Sequence, residues 1–415
     1  MLSKVKRRSR QLGALGNLWC LMLFGCGGAP AAPAGSPTNA VSATPVEAVI
    51  DAGVPPQAGP SGAPPQGEVL APTAPRAFGK VIDVEQWLEP WSFPAARQRP
   101  ASLPQRYERW RQQKQIDVGF SHLSMAEWSE DGQRLFAVSE NEAKLRLYDA
   151  RSGKLLAKSE VTGYAQYGRG AFVWQPGVSA QPSVLFAHDG GIEALDPLTG
   201  APLRRLSDES AWQLRSSDDG AILGANLPNI DSQTSILVLY AWRPDGSLVP
   251  ALALRFAERV DGFDLSEDKA LLAVSHYPSD TVALLDLRNR RLLWTQSAPK
   301  YVSSVDISPD GAYVAAGGDA VVVYDAREPS RQSRFTDLGN NVHQVRFSPS
   351  GDALAASAYD GRARILRPAA DGGPLKLLKL LKHTGNANVY AVSFTATGDR
   401  LLTSSGDKSE RIWGE

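Results

Sequence analysis

The sequence predicts an all-β protein whose main domain is a seven-bladed β-propeller of four-stranded blades. Three observations lead to this prediction. From about residue 120 onward the chain repeats itself at intervals of 40 to 49 residues, the period of propeller blades. Each repeat alternates short apolar strands with turns rich in Ser, Asp and Gly. Both cysteines, Cys20 and Cys26, precede the repeats, so no disulfide can form within them and the domain must be stabilised by packing.

Residues 1–25 have the order of an export signal. Five Lys or Arg residues and no acid occupy the first ten positions, and a 13-residue apolar run follows from Leu12 to Phe24. That run is too short to cross a bilayer as a helix, but it suits the core of a signal peptide. It ends at Leu23-Phe24-Gly25-Cys26, which resembles a bacterial lipobox.

The lipobox resemblance implies that Cys26 is acylated and becomes the new N-terminus. Gly27, which stands where Asp would favour the inner membrane, implies the outer membrane. A soluble secreted protein cleaved after a small residue and an uncleaved anchor remain alternatives. We therefore expect a lipid-anchored protein of the bacterial cell envelope, facing the periplasm or the cell surface.

Residues 26–76 have the composition of a disordered tether. The 50 residues from Gly27 to Arg76 contain 11 Pro, 7 Gly and 12 Ala and no aromatic residue. Such a segment buries too little apolar surface to offset the entropy lost on ordering. We expect a flexible linker between the lipid and the folded part of the chain.

Residues 77–117 combine charges with aromatic side chains and predict a small helical adaptor. One short helix is expected after Asp83, ending near Pro90, and a second from Leu103 to Gln115. A docking surface is the alternative reading, but we expect the aromatic residues to pack the helices onto the propeller. These aromatic residues are Trp87, Trp91, Phe93, Tyr107 and Trp110.

Residues 118–415 contain the seven repeat units, each with four predicted strands. The clearest copies run from Val302 to Gly311, from Val342 to Gly351 and from Val389 to Gly398. Glu415 directly follows the third strand of the last unit, which would leave that strand with an unpaired edge. We expect Gln115 to Val118 to supply the missing outer strand and to join the two ends of the domain. The units begin at Leu123, Arg169, Ala211, Val260, Val302, Val342 and Val389.

The last unit resembles the WD40 family. The resemblance rests on His383, Thr403, Asp407 and Trp413, and it implies a hydrogen-bond network that supports the blade. Lys382 replaces the Gly that usually precedes the His, and Gly414 replaces the Asp that usually follows the Trp. Third strands that end in Asp and lead to a Gly turn, at 149–153 and 196–200, are also similar to YVTN and quinoprotein-like propellers.

WD40-like propellers often meet their partners at the start of each inner strand. In this chain those positions combine aromatic residues and Arg with small polar residues, a composition typical of binding hot spots. For any single residue, a solvated rim without a partner is an equally good explanation. The candidate partner-binding residues are His122, Trp212, Arg259, Asp261, Tyr301, Asn341, His343, Asn388 and Tyr390. Smaller residues in the same columns are Ser124, Gly168, Gly170, Ser210 and Ser303.

Motifs for catalysis and for cofactor binding are absent from the sequence. There is no G-x-S-x-G, no phosphate-binding glycine loop and no H-E-x-x-H. The five histidines fall in five different units, so structural roles are expected for them rather than metal binding, although a propeller can gather such residues around its channel. They are His122, His188, His276, His343 and His383.

The charge balance argues against a nucleic-acid partner. The whole chain has 44 basic and 44 acidic residues, but without residues 1–25 it has 39 and 44, a net charge of −5. We expect a monomeric, non-catalytic scaffold that binds a protein or peptide on one propeller face, without cofactor. The alternatives are a propeller enzyme, such as a lactonase or quinoprotein-like oxidoreductase, and a periplasmic ligand-binding or outer-membrane assembly factor.

Overall fold

The computed structural model describes residues 106–415 apart from short gaps. The predicted signal peptide, Cys26, the linker and the first predicted helix all lie outside the described residues. So does His122. The gaps fall at 120–124, 130, 140–143, 161–171, 176–182, 189–190, 197–198, 200, 209–210, 218–221, 230–233, 243–247, 290, 370–371 and 386.

The described residues form seven antiparallel four-stranded sheets, called blades 1 to 7, and the strands of each blade are given from the inner strand outward. One strand of blade 7 precedes blade 1 in the sequence. The preceding strand is β1 (Arg111–Asp117). Blade 1 contains β2 (Met125–Trp128), β3 (Arg134–Ser139), β4 (Lys144–Asp149) and β5 (Leu155–Glu160). Blade 2 contains β6 (Phe172–Gln175), β7 (Ser183–His188), β8 (Gly191–Leu195) and β9 (Pro202–Ser207). Blade 3 contains β10 (Gln213–Ser216), β11 (Ile222–Asn229), β12 (Thr234–Trp242) and β13 (Leu248–Phe256).

The remaining blades follow the same plan. Blade 4 contains β14 (Arg259–Leu265), β15 (Leu271–Tyr277), β16 (Thr281–Asp286) and β17 (Arg291–Ser297). Blade 5 contains β18 (Ser304–Ile307), β19 (Tyr313–Gly317), β20 (Val321–Asp325) and β21 (Gln332–Phe335). Blade 6 contains β22 (Val342–Phe347), β23 (Leu354–Ala358), β24 (Arg362–Arg367) and β25 (Lys376–Lys382). Blade 7 contains β26 (Val389–Phe394), β27 (Arg400–Ser405) and β28 (Ser409–Gly414), and β1 completes it.

The seven inner strands contact one another in sequence around a closed ring, in which β26 of blade 7 returns to β2 of blade 1. The ring is closed by β1, which pairs antiparallel with β28 from Arg111 opposite Gly414 to Asp117 opposite Ser409. This confirms the seven-bladed propeller. The closing strand begins four residues earlier than the sequence predicted.

The prediction of a second helix, from Leu103 to Gln115, is wrong. The described part of this segment contains a three-residue 3-10 helix at Tyr107–Arg109, followed directly by β1. Arg, Gln and Lys are good helix formers, but pairing with the open edge of β28 outweighs that weak preference. Tyr107 and Trp110 are fully buried against blades 6 and 7, so these two aromatic residues do pack onto the propeller, as expected.

The core lies between blades rather than within one layer. Val282 and Leu284 of blade 4, for example, pack against Val305 and Val314 of blade 5 in one buried cluster. Gly224 shows how closely the blades approach, since a Cβ atom there would lie 2.5 Å from the Phe263 ring of the next blade. Each blade therefore buries its two faces against its two neighbours, as the ring requires.

Candidate partner-binding face

The predicted partner-binding residues that the structure describes lie at one end of the ring. Antiparallel pairing sets the start of each inner strand against the end of the second strand, as in Arg259 opposite Tyr277 and Val342 opposite Ala358. The start of an inner strand and the turn after a second strand therefore share one face of the propeller. We call this end the partner face.

Three of the predicted residues are β-bulge residues. The register of blades 4, 6 and 7 skips one residue near the start of the inner strand, and the skipped residues are Asp261, His343 and Tyr390. A bulge leaves one residue outside the hydrogen-bonded ladder and changes the direction of its side chain, and bulges are frequent beside functional sites. The backbone thus presents the same position of three blades at the partner face.

The first cluster on this face is centred on Arg259. Its guanidinium carbon lies 4.2 Å from the centre of the Tyr277 ring and 5.3 Å from that of Trp212. Its Nε and Nη2 donate to the two carboxylate oxygens of Asp261, at 2.7 and 3.1 Å. The stacking and the bidentate ion pair fix the orientation of Arg259 and neutralise its charge.

The second cluster consists of three rings from blades 6 and 7. His343, Tyr359 and Tyr390 lie with ring centres 5.4 to 6.1 Å apart and interplanar angles of 62 to 85°. Such edge-to-face contacts form a rigid, half-buried aromatic surface. The Nδ2 of Asn388 lies 3.5 Å from the Tyr390 hydroxyl at the border of this cluster.

Tyr301 lies in the turn between blades 4 and 5 and is 60% exposed. Its φ of 58° is left-handed, and its N–H donates to the Asp280 carboxylate at 2.9 Å, which holds the turn. Asn341 contributes its carbonyl oxygen, which accepts the Tyr359 N–H at 3.0 Å. An exposed aromatic side chain on a held backbone is suited to anchor a partner.

Sequence reasoning missed Tyr277 and Tyr359. Tyr277 ends the second strand of blade 4 and Tyr359 directly follows that of blade 6, whereas the prediction considered only the starts of inner strands. The predicted hairpin between the first two strands of blade 4 was the available signal for Tyr277, because it sets the end of the second strand opposite the start of the inner strand, and residues opposite each other share one sheet face. His122 lies outside the described residues, so its place on the face stays a prediction.

Below the face, the central channel contains an ionic network that the sequence analysis did not identify. Arg215 of blade 3 lies 3.1 Å from Asp264 of blade 4 and 2.8 Å from Asp306 of blade 5. Arg346 of blade 6 lies 3.1 Å from Asp306. The Ser393 hydroxyl of blade 7 donates to Glu127 of blade 1 at 2.6 Å. Five ionic side chains on five different blades thus meet in the channel.

Backbone amides bind the channel carboxylates as well. The N–H of Phe347 donates to Asp306 at 2.7 Å, and the N–H of Ile307 donates to Asp264 at 2.9 Å. Burial and the neighbouring Asp264 carboxylate raise the pKa of Asp306 to about 6, although both guanidiniums act in the opposite direction. The carboxylates of this channel are therefore engaged in structural contacts.

In blade 7 the structure brings together the four residues on which the WD40 resemblance rests. The Trp413 Nε1–H donates to the Thr403 hydroxyl oxygen at 2.8 Å, and that hydroxyl lies 2.7 Å from His383 Nε2. His383 Nδ1 lies 3.3 Å from the Asp407 carboxylate. These contacts assign a neutral histidine that donates from Nδ1 and accepts at Nε2.

The protonation states of this network follow from its surroundings. Burial lowers the pKa of His383, so the ring stays neutral. Burial would raise the pKa of Asp407, but hydrogen bonds from His383 and Ser409 hold that pKa well below its usual range. The network therefore contains the Asp407 carboxylate, which also binds the buried Arg411 guanidinium at 2.9 Å, and neutral donors, as a structural role requires.

Blades 5, 6 and 7 share one further contact of the same kind. An Asp in the turn after the second strand accepts a backbone N–H from the loop that precedes the same blade. The pairs are Lys300 N–H to Asp319 at 3.0 Å, Gly339 N–H to Asp360 at 3.2 Å and Thr384 N–H to Asp407 at 3.0 Å. Each Asp thus joins the loop that enters a blade to the blade itself.

The opposite end of the ring has a cleft of about 410 Å³ between blades 4 and 5. Leu271, Leu284 and Leu293 form its apolar wall, and its rim carries Asp268 and Asp310. Arg288 binds Asp268 at 3.2 Å, and Glu267 and Arg327 also line the cleft, which therefore carries both acidic and basic groups.

Among the described residues, no group of His, Cys, Asp and Glu has the arrangement of a metal site. None of the helices in that part of the chain has the length and apolar character needed to cross a membrane.

Comparison with known proteins identifies the repeats. The family model described as WD domain, G-beta repeat matches residues 290–323, 332–366 and 375–413. Each match begins in or just before the outer strand of one blade and covers the three inner strands of the next. These are the three repeats with the shared Asp contact.

Two of the similar proteins are named for their WD repeats. WD repeat-containing protein 1 of Mus musculus is 32% identical over 117 residues, which are 28% of this chain and 19% of that protein. The protein of the same name from Xenopus tropicalis is 36% identical over 118 residues, with the same coverage. The serine-threonine kinase receptor-associated protein of Gallus gallus is 24% identical over 188 residues, 45% of each chain.

The matches to the first two relatives span about a fifth of their length. Three matched repeats and seven four-stranded blades in a closed ring lead to one conclusion: this chain carries WD40 repeats and folds as a seven-bladed β-propeller.

Proposed function

We propose that the chain is a non-catalytic scaffold that binds a protein or peptide across the partner face. This proposal rests on the aromatic and amide side chains of the partner face on blades 3 to 7, which we call the arc. In three of these blades a β-bulge directs the side chain to the face. WD-repeat propellers typically act as interaction scaffolds, which agrees with this reading.

The chemistry of the arc favours a particular kind of partner segment. The charge of Arg259 is balanced by Asp261, and the other large side chains are aromatic. A surface of rigid rings with amide groups favours apolar or aromatic side chains in an extended or turn segment over a highly charged one. The engaged state of the channel carboxylates also supports a scaffold rather than an enzyme.

Site-specific photo-crosslinking of the full chain tests this function. A crosslinker at Tyr301 should capture a partner, whereas one at Leu203, a comparably exposed residue on the outer strand of blade 2, should not. Trp212→Ala and Tyr301→Ala should each weaken binding of the captured partner by roughly tenfold or more, the loss expected at a hot spot. Leu203→Ala should leave binding unchanged. Equal capture at both positions, or undiminished affinity in both face variants, would contradict the proposal.

We further propose that Cys26 anchors this scaffold to a bacterial envelope membrane through lipid. The basic leader, the short apolar run and the Leu23 to Cys26 motif support this proposal. Labelling with a fatty-acid analogue in a bacterial host should modify the parent chain and not Cys26→Ser, and the variant should leave the membrane fraction. Retained label in the Cys26→Ser chain would rule out this attachment site.

A further inference from the structure

The channel network lies directly under the partner face, on the same inner strands. On each of these strands, the residue that points into the channel comes three positions after a residue at the partner face. The pairs are Trp212 and Arg215, Asp261 and Asp264, Ser303 and Asp306, His343 and Arg346, and Tyr390 and Ser393. With a bulge in three of these strands, one short segment carries both a face residue and a channel residue.

Among the residues that the structure describes, the inner-strand side chains that face the channel include one more carboxylate than guanidinium groups. Glu127, Asp264 and Asp306 face Arg215 and Arg346, and the inner strand of blade 2 contributes no charged residue. Asp306 is bound by both guanidiniums, while Asp264 shares Arg215 with it. A buried excess negative charge is costly, and a single proton removes it.

We propose that this network is a proton-dependent latch beneath the partner face, in which proton uptake by Asp306 releases Arg346 from it and loosens the bulged inner strands. The inference that the latch controls partner binding rests on the proposed function, since the latch fixes the strands that carry the partner face. At neutral pH the ionised Asp306 ties blades 3, 5 and 6 together.

Competition between carboxylates gives the latch its second arrangement. Once Asp306 is neutral, Arg215 keeps Asp264, and Glu127 remains as the carboxylate that attracts Arg346. The two guanidiniums are then balanced by two carboxylates. The pKa of Asp306, about 6, places this exchange between neutral and mildly acidic pH. The Phe347 N–H donates to Asp306, and a neutral acid accepts hydrogen bonds less strongly than a carboxylate. The hydrogen-exchange rate of this amide therefore reports the protonation of Asp306.

Hydrogen exchange followed by mass spectrometry on the full chain between pH 5 and 8 tests the latch. After correction for the intrinsic rate, the peptide containing Phe347 should exchange on the order of fivefold faster below about pH 6 than at pH 8. Asp306→Asn should exchange at the faster rate across the whole range. A flat profile in the parent chain would overturn the proposal.

Two further variants make the test decisive. Asp264→Asn removes the like charge beside Asp306, so the transition should move to lower pH by at least about half a unit, whether or not Asp306→Asn folds. Asp337→Asn, at an exposed acid outside the channel, should keep the parent profile. A transition that stays in place in Asp264→Asn, or persists in a folded Asp306→Asn, would overturn the latch.

Partner binding separates the latch from the proposed function. A partner captured at Tyr301 should bind more weakly at pH 5.5 than at pH 7.5 in the parent chain, and equally at both in Asp306→Asn. Equal affinity at both pH values in the parent chain would overturn the link to the face. An exchange transition in a chain that captures no partner would support the latch and contradict the scaffold function.

Discussion

Blade 7 and the central channel each contain a network of buried polar side chains, but the two networks connect different parts of the chain. In blade 7, His383, Thr403, Asp407 and Trp413 lie within 31 residues and support a single blade. In the channel, a single contact such as Arg215 to Asp306 joins residues 91 positions apart and skips a blade.

The two networks also differ in charge. The blade 7 network contains one ion pair, between Asp407 and Arg411, and otherwise neutral hydrogen bonds, whereas the channel gathers five ionic groups. Neutral hydrogen bonds can be lost one at a time at modest cost, but removing one partner of a buried ion pair leaves an uncompensated charge. The channel should therefore be the more sensitive of the two regions to substitution.

Arg215→Met should cause the largest loss of stability. It keeps much of the side-chain volume but leaves three channel carboxylates with one guanidinium, so the free energy of unfolding should fall by about 3–5 kcal/mol. Urea unfolding at pH 7.5 measures the change. Arg334→Met is the control, because that guanidinium is half exposed and 3.9 Å from Asp319, and it should change stability by less than about 0.5 kcal/mol. A loss in Arg215→Met no larger than in the control would show that the channel ions are not stabilising.

Thr403→Val should have a smaller effect in blade 7. Valine matches the shape of threonine but leaves Trp413 Nε1 and His383 Nε2 without their buried partner, which should cost about 2 kcal/mol. Thr336→Val, at an exposed position, should be close to neutral. Equal stability of the two variants would mean that the blade 7 hydrogen bonds contribute nothing beyond packing.

The same contrast explains what the sequence could predict. The blade 7 residues follow a family spacing within one repeat, so sequence reasoning brought them together before the structure did. The channel residues pair across blades, and no spacing within one repeat indicates that Arg215 and Asp306 meet. The bulges at Asp261, His343 and Tyr390 were equally hidden, because a bulge depends on pairing with the next strand.

The segment that forms β1 was the subject of two sequence predictions, an outer strand and a helix. The need for an outer strand in blade 7 follows from the strand count, and β1 fills it. The local composition of Arg111 to Asp117, by contrast, favours a helix, because its Arg, Gln and Lys residues have high helix propensity. Topology predicted the role of this strand, although with its start four residues too late, where local propensity predicted a helix, since pairing with β28 is a long-range contact.

The contributions of the two networks to stability should change with pH in opposite directions. The folded-state pKa of Asp306 is raised to about 6, so its contribution to stability is present below the unfolded-state pKa of about 4 and is lost as pH rises through 6. The folded-state pKa of His383 is lowered by burial, so its contribution is present above the unfolded-state pKa of about 6.5 and is lost as pH falls below it.

Urea midpoints between pH 5 and 7.5 measure these opposite slopes. Relative to the parent chain, Asp306→Asn should lose more global stability at pH 5 than at pH 7.5, because only the parent takes up the channel proton on folding. Hydrogen exchange at Phe347 follows a different equilibrium, the local release of Arg346 within the folded state. His383→Asn should show the reverse, with its smallest loss of stability at pH 5. At that pH the parent chain folds with a neutral His383, although the same side chain is protonated when the chain is unfolded. Because both substitutions preserve polar side chains, the pH dependence of each deficit, rather than its absolute size, decides the comparison. Slopes of the same sign in the two variants would mean that the channel and blade 7 do not differ in their linkage to protons.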